Sequence, residues 1–519
     1  MSVVSSGKTT KTVASPNAAC ESLRNIWDRN RAICSGEQQT KAFDATLDFT
    51  NYTNLLIPFS PSMTILQYKF YKAEAELPGI SSEFVKMLTG GLLRKVPNLE
   101  LPEDTSTGIS NWIINNFTQN NNSLVSFLDE ALPEEMQTGH SWVFVNYPSI
   151  NEEVRKTYTT EDFQKHAPYP SLHKAETIIN WKTNKDSFGN SVLSQIIVRG
   201  TVEDFSDNEF HPSFKERVWV HELVNGAYQI RVFEKPEKDT KEVVNGRGID
   251  KADGPLMALV ETVTNIIMNG KRLGMIPAWP LDGSIDPKDP FITTIVNKEV
   301  NLYNKLSRRN HLLYGASTFT PVLASDMTDE RFEDIVSAGL GSWLKIDPDD
   351  KISVLDTPTA ALADMDRAIA AGIEEMAKLG IRMLTPETAQ SGVALEIRNA
   401  AQTAQLGTLN TKISNTLRKV IVFMINWRYD KGLDEDDVTF TLSSDFNPAP
   451  IGHEWLRLVT EWYEAGLLPR EVWLLLAKQN DLVPYDYDDE EGRASINSDE
   501  IVTKLAESNS SYADNFSDA

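Results

Sequence analysis

The chain reads as a mixed α+β fold, mainly helical. Three observations predict this. Apolar residues recur at helical spacing through both halves of the chain. An alternation of period two starts near Ser141 and ends near Phe233. Two helical patterns late in the chain run well past the usual three to four turns. With 519 residues, 41% of them hydrophobic and 24% charged, the chain is long enough for roughly two to four domain-sized units.

Residues 1–17 are polar and predict a disordered N-terminus. A helical stretch follows from about Ala18 to Ala32. A helical block then runs from Ala45 to Leu132, punctuated by Pro58, Pro61, Pro78, Pro97 and Pro102. Within it, Ser81 and Ser82 are good N-cap types for a helix with Phe84, Met87, Leu88 and Leu92 on one face.

From Ser141 onward, Trp142–Val145, Thr177–Trp181, Gln195–Val198 and Arg217–Leu223 read as strands. Asn225-Gly226 is a hairpin signal, because both residues tolerate the positive φ of a tight turn, and Ala227–Phe233 is the return strand. Glu237–Gly254 is a charged loop. Asp289 and Pro290 suit the N-cap and first position of a helix bearing Ile292, Ile295, Val296, Leu302, Tyr303 and Leu306.

An extended piece at Ser317–Leu323 follows, then a helix over about Thr328–Ala338 and strands at Trp343–Ile346 and Lys351–Leu355. The first long helix covers Ala360–Leu384, with Leu362, Met365, Ile369, Met376, Leu379 and Met383 as its apolar stripe. The second covers Val393–Trp427. Its segment Asn399–Thr411 carries no charge, so it packs against neighbours on several sides. Either this chain or another copy supplies those neighbours, and Ala400, Gln402, Ala404, Gln405 and Thr408 are the candidate subunit-interface residues. His453–Gln479 reads as two short amphipathic helices around Gly466–Pro469, followed by a polar, acidic tail.

No apolar run reaches the roughly 18–20 residues of a membrane span. Met1–Ala14 lacks the apolar core of a signal peptide. Cys20 and Cys34 are too few for a disulfide framework and lack metal-ligand spacing, so a reducing cytoplasm is the expected site of folding. The formal net charge is −24. Residues 431–519 hold 20 acidic and 6 basic side chains, which places most of that charge at the C-terminal end. Such acidity argues against tight grip on a phosphate backbone but suits a surface past which nucleic acid slides.

The motifs for chemistry are incomplete. Ser6-Gly7-Lys8-Thr9 resembles the end of a phosphate-binding loop, but the earlier glycine position is Ser2 and no strand precedes it. Asp486, Asp488 and Glu490 resemble a calcium loop, yet Glu491 stands at its glycine position and Asn497 at its closing acid. His221-Glu222 and His453-Glu454 each lack a second histidine four residues on. No catalytic residue, cofactor or metal site is expected, and the chain does not read as an enzyme. Lys298, Lys305, Arg308 and Arg309 form a basic patch on the helix after Pro290. That patch is either a salt-bridged, solvated face or a ring of positive charge beside passing phosphates. Arg94-Lys95 reads as a solvated helix end.

The order of segments resembles the portal (head-to-tail connector) proteins of tailed bacteriophages. The matching pieces are Tyr71–Ile80 (YKAEAELPGI), Gly90–Pro102 (GGLLRKVPNLELP), Glu176–Trp181 (ETIINW), Leu273–Leu281 (LGMIPAWPL), Asp289–Leu323, Trp343–Leu384 and Thr385–Trp427. The resemblance spans about residues 45–480. It implies a dodecameric ring at the capsid vertex of the virion, assembled in the host cytoplasm. Through that ring double-stranded DNA passes non-specifically during packaging and ejection. It implies docking of terminase, major capsid and scaffolding proteins, and connector or tail proteins, without a membrane partner.

The resemblance also implies a portal-like division into wing, stem, clip and crown. Residues 18–288 would be the wing, 289–314 a stem helix, 315–327 the clip and 328–343 the second stem helix. Residues 344–450 would return to the wing, 451–492 would form the crown and 493–519 a flexible tail. Asp356, Thr357 and Thr359, in the segment implied to face the tunnel, join the basic patch as DNA-tunnel candidates. A capsid or connector subunit, or a metal-dependent nuclease acting through paired carboxylates, are the alternatives.

Overall fold

A computed structural model describes residues 10–46, 55–59, 63–102, 107–118, 120, 122–147, 167–185, 187–206, 208–235, 252–253, 257–264, 266–317, 320–324, 328, 351–355, 360–379 and 392–443, with short pieces between 457 and 474. The chain divides into two compact units, Met1–Phe446 and Asn447–Ala519.

The first unit mixes helix and sheet. In chain order its elements are β1 (Thr10–Lys11), α1 (Ala18–Ser35), α2 (Glu37–Thr46), α3 (Ile65–Ala73), α4 (Ile80–Leu92), β2 (Asn98–Glu100), α5 (Thr107–Asn115) and α6 (Leu124–Thr138). The strands β3 (Trp142–Asn146), β4 (Tyr169–His173), β5 (Ile178–Lys185), β6 (Ser191–Asp204), β7 (Ser213–Val224), β8 (Ala227–Glu234), β9 (Ala252–Asp253) and β10 (Ala258–Val263) follow. Then come β11 (Ile267–Met268), β12 (Lys271–Arg272), β13 (Ala278–Pro280), α7 (Thr293–Ser317), β14 (Thr320–Ala324), β15 (Lys351–Leu355), α8 (Ala360–Leu379), α9 (Gly392–Tyr429) and β16 (Thr439–Thr441).

A five-stranded antiparallel sheet has the order β10-β8-β7-β6-β5. Its β7–β8 turn is the expected hairpin: Asn225 has φ 52 and Gly226 φ 76, the pair of positive values that a two-residue turn of this hand needs. The alternation read at Trp142–Val145 is not how β3 is used. All four side chains are buried, because β3 is the central strand of the sheet β13-β3-β4 and is covered on both faces.

The main core joins Trp27 and Ile33 of α1, Phe84 and Leu88 of α4, Leu128 and Met136 of α6, strand β3, Ile292 just before α7, Val296 and Tyr303 of α7, and Leu417, Val420 and Met424 of α9. A smaller core of Ala14, Ile179, Ile197, Val218 and Val220 lies on one face of the large sheet.

Several sequence expectations are corrected. Residues 10–17 are ordered: β1 pairs with β9, Ala14 is buried, and the Asn17 side chain caps α1 by accepting from Ala19 N at 3.0 Å. Apolar cover over the sheet outweighs the polar composition there. The N-cap of α4 is Gly79, with φ 73, while Ser81 lies buried inside the helix. The helix entering the core runs through Pro133 to Thr138 and does not stop at Leu132. Its buried faces outweigh the one backbone hydrogen bond that proline removes.

Asp289 and Pro290 precede α7, which begins at Thr293. There the backbone of residues 288–290 passes against Gly139, where an added Cβ would meet Lys288 O at 3.1 Å. The extended piece after α7 is β14, and α7 itself continues to Ser317. The expected elements at 329–338 and 343–346, the end of the 360–384 helix and most of the 237–254 loop lie outside the described residues.

In the second unit the described pieces are helical at 460–463 and 472–474, with a turn at Gly466, φ 71. Trp473 N donates to Pro469 O at 3.1 Å, and the Tyr463 and Trp473 rings stack at 5.3 Å. Two short helical pieces around Gly466–Pro469 match the sequence expectation.

Candidate functional site

The basic patch lies on α7, a helix of 25 residues and about 38 Å. Ile292 just before it and its apolar stripe, Ile295, Val296, Leu302 and Tyr303, are buried. One acid stands in that stripe. Glu299 is fully buried, and its two carboxylate oxygens accept from Ile80 N at 2.9 Å and Ser81 N at 2.7 Å. It therefore caps the N-terminus of α4 from a different helix and meets the positive end of that helix's dipole. Gly79 offers no side chain to do this.

Helix α8 packs antiparallel on α7. Leu302 meets Gly372 closely, since an added Cβ there would stand 3.5 Å from Leu302 Cδ1. Ile369 and Met376 are buried against the core. The four predicted cations fall along this pair. Lys298 pairs with Glu375 and Arg309 with Asp366. Lys305 Nζ donates to Ala368 O at 3.4 Å. Arg308 acts to lower the pKa of the Tyr71 hydroxyl of α3, although burial is the larger influence and raises it overall. Tyr71 also meets His311 edge-on at 5.2 Å. Two of the four cations are thus salt-bridged within the chain, and the other two meet neutral groups.

Past Arg309 the helix emerges: Leu313 and Tyr314 are exposed. β14 follows and pairs antiparallel with β15, from Thr320 opposite Leu355 to Ala324 opposite Lys351. Helix α8 then leads back along α7. This α7–β14–β15–α8 arrangement is an out-and-back arm.

Asp356, Thr357 and Thr359 lie outside the described residues. Ala400, Gln402, Ala404 and Gln405 lie on α9, a 38-residue helix of about 57 Å, on a stretch whose side chains are not described. Thr408 is exposed, while Leu406 and Ile413 of the same helix enter the core.

Sequence reasoning missed the buried polar groups. Glu299 was legible as the one acid in the spacing 292, 295, 296, 299, 302, 303. The rest left no such signal. Arg31 donates to Glu134 through Nε at 3.1 Å and to Glu176 through Nη1 at 2.7 Å. Glu135 accepts from both Ser141 N and Ser141 Oγ, and burial pushes its pKa up to about 7. The His140 ring stacks on Trp27 at 5.7 Å and tilts over Trp181 at 5.1 Å, and burial lowers its pKa to about 4. His221 hydrogen-bonds the Tyr228 hydroxyl at 2.6 Å, with its pKa lowered by burial to about 3. Its neighbour Glu222 accepts from Arg231 Nε at 2.7 Å.

Among the described residues, no cluster of three or more His, Cys, Asp or Glu side chains could hold a metal ion. Cys20 and Cys34 are free and buried. No described helix is long and apolar enough to cross a membrane.

A family model described as a domain of unknown function (DUF4055) matches residues 292–428, the span from the start of α7 to the end of α9. No curated protein matches the chain. Among solved structures, the chain is similar to one in the virion of a native gene transfer agent (GTA) particle, at TM-score 0.35 and 9% identity over 76% of this chain and 89% of that one. It is also similar to one in the neck of an empty GTA particle, at TM-score 0.34 and 9% identity over 79% and 92%. Likeness at that level settles neither fold nor role.

Proposed function

We propose that the chain is a portal subunit: one copy in a ring at the capsid vertex, through which double-stranded DNA enters and leaves the virion. The observation that carries this is the out-and-back arm, in a chain whose ordered segments resemble portal proteins. A long helix rooted in the body by Glu299, a two-stranded ribbon and a returning helix make a rod that a ring of copies can set around an axis.

In this reading α7 and α8 are the two stem helices and the ribbon belongs to the clip. The second stem helix expected at 328–343 lies almost wholly outside the described residues. Pairing Lys298 and Arg309 with acids of α8 lowers the positive charge that the arm presents. Together with the net charge of −24, that suits a channel in which DNA slides without sticking. The role is structural, with no bond-making step. The partners are further copies, passing DNA, terminase, major capsid and scaffolding proteins, and connector or tail proteins.

Negative-stain imaging of the purified full chain tests this. Rings of about twelve copies with a central hole of duplex width (about 20 Å) are expected, since the grooves of B-DNA must pass intact. A monomer at every protein and salt concentration tried would overturn the proposal.

A further inference from the structure

The β6–β7 hairpin carries three exposed phenylalanines near its tip. Phe205, Phe210 and Phe214 are 49%, 78% and 67% exposed. Phe205 and Phe214 share a face of the hairpin, since Phe214 stands opposite Glu203, two residues before Phe205. The tip is held in shape by its own hydrogen bonds. Asn208 Oδ1 accepts from Phe210 N at 2.8 Å and His211 N at 3.1 Å, and Asp204 Oδ1 accepts from Ser206 N at 3.0 Å. Glu203, Asp204, Asp207 and Glu209 fall within seven residues of sequence, and of these Asp204 is paired with Lys215 across the hairpin. Val198 is the last buried residue of β6. Phe205 lies seven residues beyond it, a reach of about 23 Å at strand spacing.

Elsewhere on the same unit, α2 and α3 enclose an open pocket of about 410 Å³. Its apolar lining includes Leu55, Phe59 and Ile65, and Ile65 is 56% exposed. Three lysines line it: Lys41 pairs with Glu37, Lys72 pairs with the buried Asp44, and Lys69 stands exposed at the rim. The tip is therefore aromatic with Glu209 beside it, the pocket is apolar with Lys69 at its rim, and the pocket is large enough for a phenyl ring. A preformed aromatic anchor filling an apolar pocket is the usual centre of a protein interface. Rim charges of opposite sign would orient its approach.

We propose that the β6–β7 tip of one copy docks in the α2–α3 pocket of a second copy of this chain. The contact is head-to-tail: each copy gives its tip to one neighbour and receives the other neighbour's tip. Repeated contacts of this kind close into a ring or extend as a filament. The inference rests on the ring reading above and supplies a subunit contact for it.

The test uses full-length chain. Replacing Phe205, Phe210 and Phe214 together by Ser should raise the concentration for half-assembly at least tenfold, with the circular dichroism spectrum and thermal transition of the body unchanged. Lys69→Glu should weaken assembly, and adding Glu209→Lys should restore it. A short bismaleimide should join a Phe210→Cys copy to a differently tagged Ile65→Cys copy, giving a mixed dimer. If wild type forms rings, the triple variant assembles equally well and no mixed dimer forms, the docking proposal falls and the ring reading stands. If the mixed dimer forms but wild type makes open chains, the docking contact stands and the ring reading falls. If wild type stays monomeric without cross-linking, both fall.

Discussion

Where they face the body, charged groups such as Glu134, Glu135 and Glu299 are folded under apolar cover, whereas on the outer faces of α7 and α8 they stand at the rim. Glu299 and Lys298 are sequence neighbours that face these two settings. Glu299 is fully buried and caps α4, while Lys298 pairs with Glu375, whose side chain is 63% exposed. One step of about 100° around the helix separates them. A buried charge needs every one of its partners, because desolvation costs far more than any single hydrogen bond returns. At the rim, water replaces a lost partner. Charges in the body therefore hold specific elements together, and charges on the arm are interchangeable.

The sharpest way to break this comparison is Arg31→Met. It leaves Glu134, which is 6% exposed, with an uncompensated charge. A loss of about 3–5 kcal/mol is expected, read as a large drop in the first thermal transition. An unchanged transition would show that burial is not what makes body charges costly.

Next comes Glu299→Ala, which strips the cap from Ile80 N and Ser81 N. A loss of about 3 kcal/mol is expected, with Glu299→Gln milder because one acceptor oxygen remains. Protease cleavage should then appear first around α4. Equal losses for Ala and Gln would mean that packing, not capping, is the role of Glu299.

Glu135 sharpens the comparison through pH. Burial raises its folded pKa from 4.5 to about 7. Its favourable contribution is present below about pH 4.5 and lost as pH rises through about 7. Glu135→Gln should therefore stabilise the protein relative to wild type increasingly across that window, by up to a few kcal/mol. The buried His140 and His221 act oppositely: their depressed pKa values give stability above the ordinary 6.5 that is lost as pH falls through about 4 and 3. Melting temperatures of wild type and Glu135→Gln from pH 4 to 8 separate the two trends.

The smallest effects belong to the arm. Lys298→Ala and Arg309→Ala should each cost under about 1 kcal/mol, and 0.5 M salt should reduce that further. A larger, salt-insensitive loss at either position would place the arm pairs with the buried charges.

Much of the architecture was legible from local pattern. The hairpin at Asn225-Gly226, the helix at Ala18, the long helices from Ala360 and Val393 and the change of period near Ser141 all follow from backbone preference and apolar spacing. These signals are local, so a linear reading captures them. Misreadings came where a distant segment overrode the local rule. Ser81 looks like a cap but is buried, because Glu299 arrives from α7 to cap that helix. Pro133 looks like a terminator but lies within α6. Residues 10–17 look disordered but cover a sheet. The basic patch was visible as a cluster, yet its engagement with α8 depends on which face of that helix packs against α7.

By itself the sequence determined the α+β class, most helix and strand positions, the acidic C-terminal end and the incompleteness of every catalytic motif tested. Each depends only on residue type and short-range spacing. Tertiary structure alone decided which charges are buried, which helix α8 packs against, and that the aromatic tip and the apolar pocket are exposed. The pairs Arg31–Glu134, Lys298–Glu375 and Glu299 with the start of α4 each join segments more than fifty residues apart. The cost of burying a charge, or the freedom of an uncovered phenylalanine, exists only once they have met.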